Sequence, residues 1–202
     1  MLCDQYLGKL KALALTLIIV LLSSCVSGPA KVDGQEPYQE LQYVNIDSDI
    51  EDMFDEAVSY LKSEKYDKAI KLLEELIELE KRVPTPYINL AMAYEIKGDK
   101  EKAEKYLLEA VKLDLAHPVA NNQLGMLYRK LGRFDDAKKA YANALTRNPD
   151  YLPVLKNMGI LCELYMRDLP CALKHYEQYL DLQPDDKTMK IWVSDVSRRV
   201  GK

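Results

Sequence analysis

The stretch PVANNQLGMLYRKLGRFDDAKKAYANALTRNPD, residues 118–150, decides the fold. Apolar residues recur at helical spacing in its first half, which ends in a Leu-Gly pair. Pro149 ends its second half, where small residues lie three and four positions apart, at Ala137, Ala140 and Ala144. The stretch therefore predicts two helices joined by a short turn.

This helix-turn-helix unit is one copy of a 34-residue repeat. Three columns of residues return at that period. They are Tyr60, Tyr94 and Tyr128, followed by Cys162; Ala57, Ala91, Gly125 and Gly159; and Ala69, Ala103 and Ala137, followed one residue late by Ala172. Agreement between three separate columns indicates consecutive repeats that stack on one another.

The repeat resembles the tetratricopeptide repeat (TPR) family, whose 34-residue unit has small, aromatic and proline positions at fixed offsets. The third copy matches this motif best, at Leu124, Gly125, Tyr128, Ala137, Tyr141, Ala144 and Pro149. The family's first Trp position is occupied by Met53, Tyr87, Asn121 and Leu155. The extra residue in the fourth copy predicts a longer internal turn. The resemblance implies an all-α fold, a right-handed TPR superhelix (α-solenoid) of about four repeats with a C-terminal capping helix.

The repeat period also predicts the domain boundaries. We expect the four copies at residues 50–83, 84–117, 118–151 and 152–185. Residues 186–202 form one further amphipathic helix and a tail, which we interpret as a cap over the apolar flank of the last repeat. The alternative is a basic helix lying on a membrane surface, although acidic residues interrupt its charge.

Residues 1–24 resemble a secretory signal peptide, because basic residues precede an apolar run that is too short for a stable membrane span. The run ends in Ser-Ser before Cys25, which resembles the bacterial lipobox, where the cysteine receives lipid and becomes the new amino terminus. An uncleaved transmembrane anchor and a secreted protein with an unmodified Cys25 are the alternatives. In bacterial lipoproteins Asp after the cysteine favours the inner membrane. Val26 follows here, which implies the outer membrane, facing the periplasm.

Residues 25–49 are rich in polar residues, Gly and Pro, a composition typical of a flexible tether. This tether would join the lipidated Cys25 to the first repeat. As an alternative, part of it adds a short segment against that repeat through Tyr38, Leu41, Tyr43 and Val44.

Composition and motifs exclude several classes of function. A net charge of -4 without a basic stripe does not favour nucleic-acid binding. Because no catalytic or phosphate-binding motif is present, we expect no enzyme, no cofactor and no small-molecule substrate. His117 and His175 show no spacing to the cysteines that is typical of a metal site. Cys162 and Cys171 either form a disulfide in an oxidising periplasm or remain two buried free thiols.

The first helices of TPR repeats line a concave groove. Three amides recur at 34-residue intervals on that face, at Asn89, Gln123 and Asn157. Such a ladder can bind the backbone of an extended peptide, or it can bond between neighbouring helices and only stabilise the stack. Four further positions complete the predicted peptide-binding groove: Met92 and Met126 as adaptable apolar surface, and Arg129 and Lys156 as a positive patch.

We therefore expect a lipid-anchored adaptor that binds a protein or peptide partner of the cell envelope. The chain resembles small bacterial TPR lipoproteins that help to assemble type IV pili and secretion systems. One alternative is an accessory or regulator of cell-wall enzymes or of an energy-transducing transport complex, which docks folded partners on its convex side. A structural spacer that associates with itself is another.

Overall fold

The computed structural model describes residues 47–202, and within that range it contains nine helices and no strand. The helices are α1 Ser48–Lys62, α2 Tyr66–Leu79, α3 Pro84–Ile96, α4 Lys100–Leu113, α5 Pro118–Lys130, α6 Phe134–Arg147, α7 Leu152–Ile160, α8 Leu169–Leu182 and α9 Lys187–Arg199. A π-helical turn, Leu161–Tyr165, continues α7 directly and is called the π segment. The first eight helices form four pairs, and α9 follows them, so the expected all-α solenoid is confirmed.

The predicted signal peptide, Cys25 and nearly all of the predicted tether lie outside the described residues. The first helix begins at Ser48, two residues before the predicted start of the first repeat. The Asp47 side chain accepts a hydrogen bond from the backbone N–H of Asp49 at 3.2 Å, which satisfies one of the unpaired donors at the helix start. No helix within residues 47–202 is both long and apolar enough to cross a bilayer.

Each helix pair is closed by a turn of three residues. The middle residue of every turn has a positive φ, which is +58° at Glu64, +87° at Gly98, +76° at Gly132 and +56° at Arg167. In this left-handed conformation the chain reverses and the third turn residue bonds back to the preceding helix. The N–H of Arg133, for example, donates to the carbonyl oxygen of Tyr128 at 2.8 Å. The four pairs therefore share one turn geometry.

The predicted longer turn in the fourth repeat is wrong. Its turn has three residues like the others, and the extra residue lies instead in the π segment. A π turn bonds to the fifth residue back, as the N–H of Met166 does to the carbonyl oxygen of Leu161 at 3.0 Å. One residue is thereby absorbed inside the helix without disturbing the turn.

Small residues allow the two helices of each pair to pack closely. The alanines of the repeat columns, among them Ala57, Ala91 and Ala137, are fully buried. In the last two pairs the small residue is glycine, and a Cβ atom at Gly125 or Gly159 would overlap the ring of Tyr141 or Tyr176. Because glycine has no Cβ atom, pairs three and four have room for a large buried ring between closely packed helices.

The last helix, α9, covers the end of the stack. Its Met189 and Val196 side chains are buried, and the Trp192 ring lies 5.5 Å from the ring of Tyr176. The opposite side of α9 exposes Lys190 and Arg198. A helix with one apolar and one polar face is what a terminal cap requires.

The first helices of the pairs define the inner side of the solenoid. Helix α1 contacts α3, α3 contacts α5, and α5 contacts α7, whereas the second helices of neighbouring pairs make no comparable contact among the described residues. Because helices on the inside of a curved stack lie closer together, the side lined by α1, α3, α5 and α7 is the concave one.

Candidate functional site

The predicted amide ladder lies in the interior. The exposed fractions are 0% for Asn89, 1% for Gln123 and 6% for Asn157. The Asn157 side-chain N–H donates to the side-chain amide oxygen of Asn122 at 2.9 Å, which joins α7 to α5. A partner cannot reach these amides in this conformation, and the Asn157 bond is of the kind that stabilises the stack.

The two methionines of the predicted groove are also buried rather than accessible. Met92 packs in a small apolar cluster with Ile88 and Val119, and Met126 belongs to the main core. Each is 2% exposed. Their expected role as adaptable contact surface is therefore not supported, because contacts between neighbouring repeats already use these side chains.

The two basic residues of the predicted groove are half-buried and lie over aromatic rings. The Arg129 guanidinium is 5.6 Å from the ring centre of Tyr165, and the Lys156 ammonium is 5.7 Å from that of Trp192. These distances are within the range of cation–π attraction. Trp192 is also a wall of the cavity described next.

An open apolar cavity of about 440 Å³ lies at the C-terminal end of the inner side. It is called the end pocket, and its apolar walls are Ile160, Leu164, Tyr176, Ile191 and Trp192. Ile160 occupies in α7 the repeat position that Met92 and Met126 occupy in α3 and α5, which places the pocket on the concave side. Leu164 is 64% exposed and Ile191 is 67% exposed, so this part of the inner side is open to a partner.

Two carboxylates lie at the rim of the end pocket, and both are paired. Glu163 accepts hydrogen bonds from Arg199 and from the Tyr176 hydroxyl, the latter at 3.1 Å. Hydrogen bonds from Arg199 and Arg198 lower the pKa of Asp195. Burial and the neighbouring Glu163 raise the pKa of Tyr176, so its hydroxyl stays neutral and donates. The rim is therefore polar and charge-balanced, and the interior can accept an uncharged side chain.

A second apolar surface lies on the outer side. A cavity of about 490 Å³ lies along α4, and it is called the α4 patch. Leu115 in this patch is 74% exposed and Leu108 is 38% exposed, among charged residues that include Glu101 and Lys112. Exposed apolar residues with a polar rim are typical of a docking surface.

The two cysteines within residues 47–202 are linked by a disulfide. Cys162 in the π segment and Cys171 in α8 form a disulfide, with their Cα atoms 5.8 Å apart. The sequence left a disulfide and two buried free thiols as alternatives, and the structure contains the disulfide. The His175 ring lies beside it, with Nδ1 at 3.7 Å from the Cys171 sulfur. Burial lowers the pKa of His175.

Sequence reasoning missed the end pocket and the histidine beside the disulfide. A signal for the histidine was present, because Cys171 and His175 are four residues apart and therefore share one face of a helix. The pattern of the last helix places Trp192 on its apolar side together with Met189, Val193, Val196 and Val200, and does not include Ile191, so it gave no signal for the end pocket.

Three models of the tetratricopeptide repeat family match the chain, over residues 56–87, 84–117 and 118–151. No curated protein matches it. Solved structures share its fold. Among them is PilF of Pseudomonas aeruginosa, with 18% identity, a TM-score of 0.67 and coverage of 75% of this chain and 69% of that one. MamA of Desulfovibrio magneticus RS-1 has 17% identity, a TM-score of 0.64 and coverage of 76% and 86%. A thermophilic TPR protein of Thermus thermophilus has 23% identity, a TM-score of 0.61 and coverage of 73% and 80%.

The chain belongs to the tetratricopeptide repeat family. Members of this family are generally non-enzymatic scaffolds that bind protein or peptide partners. Identities below 25% show the fold alone, so the partner and the cellular context are matters for a proposal.

Proposed function

We propose that this protein is a lipid-anchored adaptor that binds a segment of a cell-envelope protein in the end pocket. The observation that carries the proposal is the open apolar cavity of the end pocket, where Leu164 is 64% and Ile191 is 67% exposed, compared with 40% for Ile96 at the position in α3 that matches Leu164. A solenoid presents such a surface rigidly, because neighbouring repeats brace one another.

The chemistry of the end pocket limits the segment that it accepts. Its walls fit one aliphatic or aromatic side chain, and stacking on Trp192 would contribute beyond simple burial. The rim carboxylates are already paired with Arg199, so they do not attract a second cation strongly. Lys156 has no ion pair with a described residue and lies beside Trp192. A segment with an apolar anchor and a nearby carboxylate therefore fits best.

The membrane anchor belongs to the same proposal. Lipid on Cys25 would hold the repeats at the outer membrane, facing the periplasm, and would confine adaptor and partner near one surface. The sequence resemblance to TPR lipoproteins of envelope assembly supports a role in building a complex such as a pilus or a secretion system. The fold shared with PilF is consistent with that role.

A second function is favoured by the α4 patch. Exposed Leu115 and Leu108 on the outer side would suit a folded partner that docks on the convex face. This is the mode expected for an accessory or regulator of cell-wall enzymes or of an energy-transducing transport complex. The two functions use opposite sides of the molecule, so variants can separate them.

Affinity capture from solubilised envelopes tests the choice between the two surfaces. We expect Ile191→Asp to reduce recovery of the partner by about fivefold or more, because burying a polar group without a hydrogen-bond partner costs about 1–3 kcal/mol and a charge costs more. Leu115→Asp is the matched control, since both side chains are mostly exposed and neither substitution disturbs the core. Loss of the partner with Leu115→Asp and retention with Ile191→Asp would favour convex docking instead.

Membrane fractionation of Cys25→Ala tests the anchor independently. The variant is expected in the released fraction, whereas the parent is recovered with membranes. Membrane recovery of the variant equal to that of the parent would contradict lipidation and would leave the end-pocket result unaffected.

A further inference from the structure

Three potential metal ligands meet at the junction of the π segment and α8. The sulfur atoms of Cys162 and Cys171 and one ring nitrogen of His175 all lie within 4.8 Å of one another. Cys162 is fully buried, and the other two residues are partly exposed. No other cluster of this kind occurs within residues 47–202.

The fold positions these three side chains from two elements. Cys171 and His175 are four residues apart on α8 and so share one face of that helix. The start of α8 is fixed by Asp168, whose carboxylate accepts from the backbone N–H of Cys171 at 3.0 Å and whose own N–H donates to the Cys162 carbonyl oxygen at 2.8 Å. These bonds do not depend on the disulfide, so they hold the cysteines together when it opens.

Reduction converts the disulfide into a pair of thiols. A dithiol reductant supplies two electrons and two protons, the S–S bond breaks, and the reductant leaves as its own disulfide. A metal ion that then binds both sulfurs as thiolates releases two protons. The imidazole of His175 adds a neutral nitrogen donor. In the oxidised form His175 Nδ1 lies 2.8 Å from the Cys171 carbonyl oxygen, and it would exchange this contact for the ion.

We propose that the reduced protein binds one Cu(I) ion through Cys162, Cys171 and His175. Thiolate sulfur is a soft ligand that selects Cu(I) and Zn(II). Structural zinc sites almost always have four protein ligands, and the described residues supply three. A three-ligand set with two thiolates suits Cu(I), and burial of Cys162 shields the ion from water.

The site and the disulfide exclude each other, because both use the same two sulfur atoms. A bound ion prevents the bridge from forming again, and oxidation of the thiols expels the ion. This inference does not rest on the proposed adaptor function, because it uses only the geometry of Cys162, Cys171 and His175.

Competition with the Cu(I) chelator bicinchoninate tests the proposal on the full-length chain. Cys3 and Cys25 are changed to Ser, so that Cys162 and Cys171 are the remaining thiols. The protein is reduced with a phosphine and desalted without oxygen. We expect one Cu(I) per reduced chain and none per oxidised chain.

His175→Ala should weaken binding at least about tenfold, because removal of even a supporting residue at a metal site typically costs 10–100-fold. His117→Ala is the matched control and should bind as the parent does. Retention of Zn(II) but not Cu(I), or equal affinity of His175→Ala and the parent, would overturn the proposal. X-ray absorption of the loaded parent needs no variant, and it should show two sulfur ligands and one nitrogen ligand; sulfur ligands alone would refute the role of His175.

Discussion

Gly125 and Tyr141 illustrate how single residues set the distance between paired helices. In pairs three and four, glycine faces a buried tyrosine ring, at Gly125 with Tyr141 and at Gly159 with Tyr176. At the same positions pairs one and two have Ala57 with Leu73 and Ala91 with Leu107, all of them buried. The chain therefore fills the same space between paired helices in two ways, with Gly and Tyr in pairs three and four and with Ala and Leu in pairs one and two.

This comparison predicts the effect of replacing the Gly-Tyr pair by an Ala-Leu pair. Gly125→Ala alone should lower the free energy of unfolding by about 1–3 kcal/mol, because the new methyl group overlaps the Tyr141 ring. Adding Tyr141→Leu recreates the Ala-Leu pair of the second repeat and should restore stability to within about 1 kcal/mol of the parent. Urea unfolding of the parent, of Gly125→Ala, of Tyr141→Leu and of the double variant measures the four free energies of this cycle. Additive losses in the double variant would show that the two positions do not compensate each other.

Residue periodicity predicted these columns but not the accessibility of every repeated position. The ladder of Asn89, Gln123 and Asn157 was correctly placed on the first helices, yet its amides are buried. Periodicity gives the direction of a side chain from the helix axis. Whether a neighbouring repeat covers that side chain depends on the separation of the helices, which no single column of the sequence encodes.

The π segment is the element in which the fourth repeat departs from the others. The sequence reveals one extra residue, because Ala172 follows Ala137 by 35 positions, but it does not show where the residue is absorbed. A turn is the usual place for an insertion, since loops tolerate added length. Here the turn is constrained by its positive-φ residue Arg167 and by the Asp168 bond to Cys162, so the helix takes up the residue.

Deletion of Leu164 tests this account of the π segment. The deletion restores the 34-residue period, so we expect an α-helix there and a free energy of unfolding within about 1 kcal/mol of the parent. Deletion of Ile96, the residue at the same repeat position in α3, is the control. It removes a residue that the period requires and should cost more than about 3 kcal/mol. Equal losses in the two deletion variants, by urea unfolding, would contradict the assignment.

At the scale of the whole molecule, stacked helix pairs bury one continuous core and leave one end of the concave face open. The sequence predicted the stack and its cap, because both depend on local periodicity. It did not predict the end pocket, which is lined by residues of α7, the π segment, α8 and α9 and in which Ile191 is mostly exposed. A cap that contributed only to stability would gain little from so exposed an aliphatic side chain.

Photo-crosslinking in living cells is the most direct test of the central claim, that partners bind at this open end of the concave face. A photoreactive phenylalanine derivative is placed at position 191 in the end pocket or at position 115 in the α4 patch. We predict a specific partner adduct from position 191 that disappears when Leu164→Asp is added, and no adduct of that partner from position 115. An adduct from position 115 with none from position 191 would contradict the account.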